Sequence, residues 1–164
     1  MTARTAYVVA FVIFIADQLS KWWIVERLQL ESLGSVPLLP FLNFTWVENV
    51  GIAMGLMQAG SDLGRWLLVA LTGGIAIAIV WWINSERDRT DLIAMALILG
   101  GAIGNIIDRV RLGYVVDFVH FYVGEWSFYV FNVADAAITI GVVLLLLRAF
   151  FGQNAHAKKE ENHA

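Results

Sequence analysis

The 164-residue sequence contains no cysteine, which removes disulfides, thiol nucleophiles, cysteine metal sites and palmitoylation together. Charge is also scarce, with Asp, Glu, Lys and Arg making up 15% of the chain against about 25% in ordinary soluble domains. No more than two basic residues stand side by side and the net charge is −3, so the electrostatic footprint of a nucleic-acid binder is missing. Of the three histidines, His156 and His163 stand near the C-terminus, and no His-Glu-x-x-His pattern occurs. That speaks against a zinc site. No serine lies in a Gly-x-Ser-x-Gly context or beside a base, so a serine hydrolase is disfavoured.

What is abundant is apolar surface. Hydrophobic residues make up 59% of the chain, seven of them Trp, and the mean hydropathy is +0.70. One small core cannot hide that much apolar surface, and a single polytopic membrane domain is expected.

Four stretches are long enough to cross a bilayer as helix, at about residues 6–25, 66–83, 92–110 and 131–151. The stretch from Trp66 to Ile83 carries no charge and is flanked by Trp66 and Trp81-Trp82 as an interfacial aromatic belt. The first stretch spans only if Asp17 and Lys21 lie at membrane depth. Arg4 before an apolar run resembles a cleaved signal peptide, but no small-x-small site follows and Asp17-Gln-Leu-Ser-Lys21 continues the helix. Arg4, Arg87, Arg89, Arg148, Lys158 and Lys159 fall on one side, which places both termini in the cytoplasm by the positive-inside rule. Residues 153–164 form a polar tail without expected structure.

Two segments then lie outside. The first, from Glu26 to Gly64, contains Pro37, Pro40 and a strand-like Phe41-Leu42-Asn43-Phe44-Thr45-Trp46-Val47 run, and reads as a small extramembrane β element. The second, about 111–130, holds Tyr114-Val115-Val116, Asp117 and the turn Val123-Gly124-Glu125. The expected fold class is therefore an all-α membrane protein of four transmembrane helices with a small β-cradle on the outer side.

Direction of travel groups the polar residues. Asp17, Lys21, Asn105, Asp108 and Arg109 sit late in outward-running helices, and Asn132 and Asp135 at the start of an inward-running one. All fall in the outer half of the bilayer, where each charge costs about 2.5–3.5 kcal/mol, so a shared polar site is implied. Asp17 and Lys21 are spaced i, i+4 as an intrahelical pair. Asp108 and Arg109 are adjacent and each requires a partner on another element. Asp117 and Asp135 have no cation close in sequence. Two such carboxylates brought together split into a protonated acid and an ionised base, the equipment of an aspartic protease; proton or cation relay is the other use of such a pair. His120, Trp22-Trp23 and Trp126 read as core or interfacial residues.

Several motifs together resemble the bacterial signal peptidase II family. They are Asp17-Gln-Leu-Ser-Lys21, Glu48-Asn49-Val50-Gly51, Gly100-Gly101-Ala-Ile-Gly104-Asn105-Ile-Ile-Asp108-Arg109, Val115-Val116-Asp117-Phe118 and Phe131-Asn132-Val133-Ala134-Asp135, in the family's order. The resemblance implies an intramembrane aspartyl endopeptidase that cleaves diacylglyceryl-modified prolipoproteins before the lipidated cysteine. It places Asp117 and Asp135 as the catalytic dyad. Asn49, Gly51, Gly104, Asn105, Asp108, Arg109, Asn132, Asp17 and Lys21 then support the site or bind substrate. It further implies no metal or organic cofactor, a β-cradle over about residues 36–60, and a monomer in the inner membrane in contact with lipid. After Gly51 the family usually continues with small residues and an aromatic, whereas this chain has Ile52 and Met54, a departure that bears on substrate preference. A small proton-coupled transporter is the main alternative, although such a protein places its acid near the midplane. A non-catalytic scaffold is a third reading.

Overall fold

The computed structural model describes residues 1–51 and 62–161, with side chains through Phe151. Among the described residues, four helices are long and apolar enough to cross a membrane. The first, α1 (Ala3–Trp22), runs into a single π turn over Trp23–Arg27 and is followed by the short α2 (Leu30–Leu33). Then come α3 (Asp62–Ser85), α4 (Arg89–Arg111) and α5 (Val133–Glu161). The expected spans 66–83 and 92–110 fall inside α3 and α4, and 6–25 inside α1 together with its π turn, whereas α5 begins at Val133, two residues later than expected, because Asn132 caps it. The expected unstructured tail is also corrected, since the α5 backbone stays helical to Glu161. Its Ala, Lys, Glu and Gln residues have high intrinsic helix propensity and simply extend the span.

Helix α4 is the central one, with 61% of its span buried against between 17% and 22% for the other three. Its buried positions include Ala94, Ala96, Gly100, Gly101, Ala102 and Gly104. Such small side chains let neighbouring backbones approach closely, the usual basis of helix packing in membranes. Ala6 and Ala10 of α1, Ile79 and Ile83 of α3, and Leu92, Met95 and Leu99 of α4 form one core cluster. The faces turned away from α4 carry exposed Phe11, Leu71, Ile77, Trp81, Leu146 and Phe150, the outer apolar surface expected of a bundle surrounded by lipid.

At the end of the bundle where α1 and α4 finish and α5 starts, four antiparallel strands form a sheet in the order β1 (Ser35–Leu39), β2 (Leu42–Asn49), β3 (Val115–Val123) and β4 (Trp126–Ser127). The cradle is thus not confined to residues 36–60. Its longest strand comes from the second outer segment, whose Val116 and Phe118 are buried against Ile24 and Leu30. Residues 52–60 of the expected cradle, Ile52 and Met54 among them, lie outside the described residues. At the far end of the bundle Arg148 of α5 pairs with Asp88 at 2.6 Å and Asp91 at 2.9 Å. Asp88 in turn caps α4 by accepting from the Thr90 and Asp91 amides.

Candidate active site

Three helix ends and two strands bring the polar residues together. Lys21, 4% exposed, donates to Asp17 at 2.8 Å on its own helix, to Asp108 of α4 at 2.7 Å and to Asn105 Oδ1 at 3.2 Å. An ammonium has three N–H donors, and all three are used. The expected i, i+4 pair therefore forms, and Asp108 finds its partner on another helix as its spacing required. Gln18, which sequence reasoning passed over, donates to Asp17 Oδ2 and to Asp108 Oδ1 at 3.2 and 3.0 Å. Its place inside the Asp17–Lys21 motif was the available signal.

The approach of α1 to α4 depends on Gly104, where a Cβ would come within 2.5 Å of Asp17 Oδ2. The other Asp17 oxygen reaches α5, accepting from the Ala134 amide at 3.0 Å. Asn132 and Asp135 complete that helix start reciprocally. The Asp135 amide donates to Asn132 Oδ1 at 2.9 Å and the Asn132 amide donates to Asp135 Oδ2 at 3.3 Å. This is a capping box with Asn and Asp in place of the usual residues. Backbone N–H groups at this helix start are thereby satisfied by the Asn132 amide oxygen and by the Asp17 and Asp135 carboxylates, the latter two at the positive end of the helix dipole.

Asp117 enters from β3, where it lies opposite Val47 of β2. It is 1% exposed. Asn132 Nδ2 donates to its Oδ1 at 2.6 Å, and Asn49 Nδ2, two residues further along β2, donates to its Oδ2 at 2.9 Å. Asn49 is held by its own Oδ1, which accepts from the Gly51 amide at 3.0 Å. Gly51 has φ +80°, and a left-handed residue there lets the chain double back into this short turn. Asp135 is half-buried and accepts from Asn105 Nδ2 at 2.8 Å. The two acids thus share Asn132, and Asn132 also bonds to Asn105 at 3.3 Å.

Burial, reinforced by the nearby charge of Asp135, pushes the Asp117 carboxyl up to about 6, against the opposing pull of its Asn49 and Asn132 hydrogen bonds and of the Lys21 charge. A carboxyl in this state exchanges its proton near neutral pH. The charges of Asp135, Asp117 and Asp108 act on the Arg109 guanidinium, whose Nε has no hydrogen-bond partner among the described residues. An apolar recess of about 250 Å³, lined by Phe128, Tyr129, Phe131, Thr139 and Ile140, opens beside Asp135. His120 stands apart as a cross-strand tie, bonded to Thr45 and to Ser127. Every candidate site residue named from the sequence falls in or directly beside this network.

Comparison with known proteins gives consistent results. The family model described as signal peptidase (SPase) II matches residues 9–151. The lipoprotein signal peptidase of Rhizorhabdus wittichii is 54% identical over 142 residues, covering 86% of this chain and 83% of that protein. That of Sphingopyxis alaskensis is 50% identical over 147 residues, covering 89% and 85%. A bacterial membrane enzyme solved at 1.9 Å is 32% identical and superposes with a TM-score of 0.77, covering 90% of this chain and 93% of its own. None of these matches supports the transporter or the scaffold reading.

Proposed function

The chain belongs to the signal peptidase II family, membrane proteases that remove signal peptides from prolipoproteins, and on that premise we propose that Asp117 and Asp135 are its catalytic pair. The observation that carries the proposal is the shared contact with Asn132, which ties a buried strand carboxyl and a helix-capping carboxyl into one hydrogen-bonded unit.

In the reaction one carboxyl of the pair acts as the protonated acid and the other as the ionised base. The ionised member takes a proton from water as the water oxygen bonds to the scissile carbonyl carbon. The protonated member gives its proton to the carbonyl oxygen, whose developing charge is otherwise unstable in so dry a place. When the tetrahedral intermediate collapses, the C–N bond breaks and the amine leaves with a proton from the first carboxyl. The second recovers its proton from the former carbonyl oxygen. Asn49, Asn105 and Asn132 hold the acids in position through amide donors, and no step requires a metal or organic cofactor. Arg109, whose buried Nε has no hydrogen-bond partner among the described residues, is assigned to a backbone carbonyl of the substrate.

The substrate is a prolipoprotein whose lipobox cysteine already carries diacylglycerol, and cleavage falls just before that cysteine. Such a substrate is itself a membrane helix ending near the outer face. The acids lie at the end of the bundle that carries the sheet, and the recess beside Asp135 offers apolar surface next to the chemistry. We assign residues 1–152 to one polytopic domain in the bacterial inner membrane, acting as a monomer, with both termini cytoplasmic and the sheet facing outward. The direct test compares diacylglyceryl-modified with unmodified prolipoprotein in the same vesicles. Cleavage before cysteine of the modified form alone is expected, and equal cleavage of both contradicts the substrate assignment.

A further inference from the structure

Lys21 touches neither acid, yet its third hydrogen bond ends on an amide that does. Asn105 Oδ1 accepts from Lys21 Nζ at 3.2 Å and from Asn132 Nδ2 at 3.3 Å, while its Nδ2 donates to Asp135 at 2.8 Å. A primary amide can be turned end for end at little steric cost, and only its partners fix which end is the donor. Here the partners leave one choice. Turning Asn105 over would aim its N–H groups at an ammonium that cannot accept and at the Asn132 Nδ2, itself a donor. Asn132 is locked by the same logic, because its Nδ2 bridges Asn105 Oδ1 and Asp117 Oδ1 while its Oδ1 accepts from the Asp135 amide.

We propose that Lys21 is a positioning residue for the reaction, whose ammonium sets the polarity of the Asn105 amide so that its N–H faces Asp135, beside an Asn132 amide that the Asp135 backbone N–H orients toward Asp117. Donation runs one way, from Lys21 to Asn105 and from there to Asp135, while Asn132 donates both to Asn105 and to Asp117. The pairs with Asp17 and Asp108 fix the ammonium in place inside the bundle. The network around Lys21 is therefore more than a structural ion cluster, and its effect reaches Asp135 through an amide. This inference rests on the assignment of Asp117 and Asp135 as the catalytic pair.

A double-mutant cycle tests it. Lys21→Met is combined with Asp108→Asn so that the local net charge is unchanged, and the pair is measured with and without Asn105→Ala, on diacylglyceryl prolipoprotein in vesicles. We expect Lys21→Met/Asp108→Asn to lower kcat about 10- to 100-fold, the effect of a lost hydrogen bond to a charged group, with KM little changed. In the Asn105→Ala background the same pair of changes is expected to lower kcat by no more than about 3-fold, because the route to Asp135 is already cut. Near-normal kcat in the first variant, or full multiplication of the two losses, overturns the proposal. If the Met variant does not accumulate folded, Lys21→Arg takes its place, keeping the charge against both carboxylates while moving the donor off Asn105; the same two outcomes decide. Asp117→Asn and Asp135→Asn run in parallel. Normal cleavage by either of those overturns the catalytic pair itself, whereas normal cleavage by the Lys21 variants alone overturns only the positioning role.

Discussion

Asn132 and Asp135 cap each other across the first turn of α5, each backbone amide donating to the other's side chain at 2.9 and 3.3 Å. A cap is ordinarily a stability device, but here one of its members is a proposed catalytic acid and the other holds the second acid. Stability and chemistry can be separated at Asn132. Serine keeps a capping oxygen but has no Nδ2 donor for Asp117 or Asn105. Asn132→Ser is therefore expected to retain thermal stability and lose cleavage, while Asn132→Ala loses cleavage and about 1 kcal/mol of stability as well. Thermal unfolding and single-turnover cleavage read the two effects apart, and an active Asn132→Ser enzyme contradicts the role given to Nδ2.

The carboxyl of Asp117, held at about 6 by burial and by the Asp135 charge, makes a signed prediction. Hydrogen bonds to the ionised form favour it, so removing the Asn49 donor by Asn49→Ala moves the Asp117 titration upward. Removing the neighbouring negative charge by Asp135→Asn moves it downward. Because the folded value lies above the ordinary aspartate value of 3.8, the contribution of this group to folding stability is full below about 4 and declines as pH rises through about 6. Carboxyl NMR of Asp117 in micelles follows both shifts, and a common direction for the two variants would contradict the account.

Close approach of α1 to α4 rests on the missing side chain of Gly104, whose Cβ would lie 2.5 Å from Asp17 Oδ2. Gly104→Ala is expected to cost about 1–3 kcal/mol by overpacking and to lower cleavage by displacing Asp17 from the start of α5. Unfolding in denaturing detergent measures the first effect; an unchanged midpoint would mean that the helices yield freely there.

The natural absence of cysteine makes orientation directly readable. Ser35 at the start of β1 and Ser85 at the end of α3 are both exposed and stand at opposite ends of the bundle. A membrane-impermeant maleimide applied to intact spheroplasts is expected to label Ser35→Cys and to spare Ser85→Cys until the membrane is opened. The reverse pattern would place the acids on the cytoplasmic side.

Much of this arrangement was legible before any coordinates. Four charge-poor runs gave the helices, and grouping Asp17, Lys21, Asn105, Asp108, Asn132 and Asp135 at one depth needed only the alternation of helix direction. The i, i+4 spacing of Asp17 and Lys21 gave their pair outright. The strand nature of residues 115–123 was harder to see, because Val115, Val116, Asp117 and Phe118 are all buried and show no period-2 alternation. Its pairing with β2, which delivers Asn49 to Asp117, depends on contacts between residues 68 positions apart. Gln18 was signalled only by its place inside the Asp17–Lys21 motif, and the donation of the Ala134 amide to Asp17 is a tertiary fact that no local pattern encodes.

The central claim is that Asp117 and Asp135 together activate water, and asparagine tests it by keeping size while removing proton exchange. Cleavage of diacylglyceryl-modified prolipoprotein by purified wild-type protein is compared with Asp117→Asn and Asp135→Asn in matched vesicles, with substrate binding measured alongside. The account predicts that each variant binds substrate and loses at least about a thousandfold in rate, the scale on which general acid–base catalysis operates. Near-normal cleavage before the lipidated cysteine by either variant would contradict it.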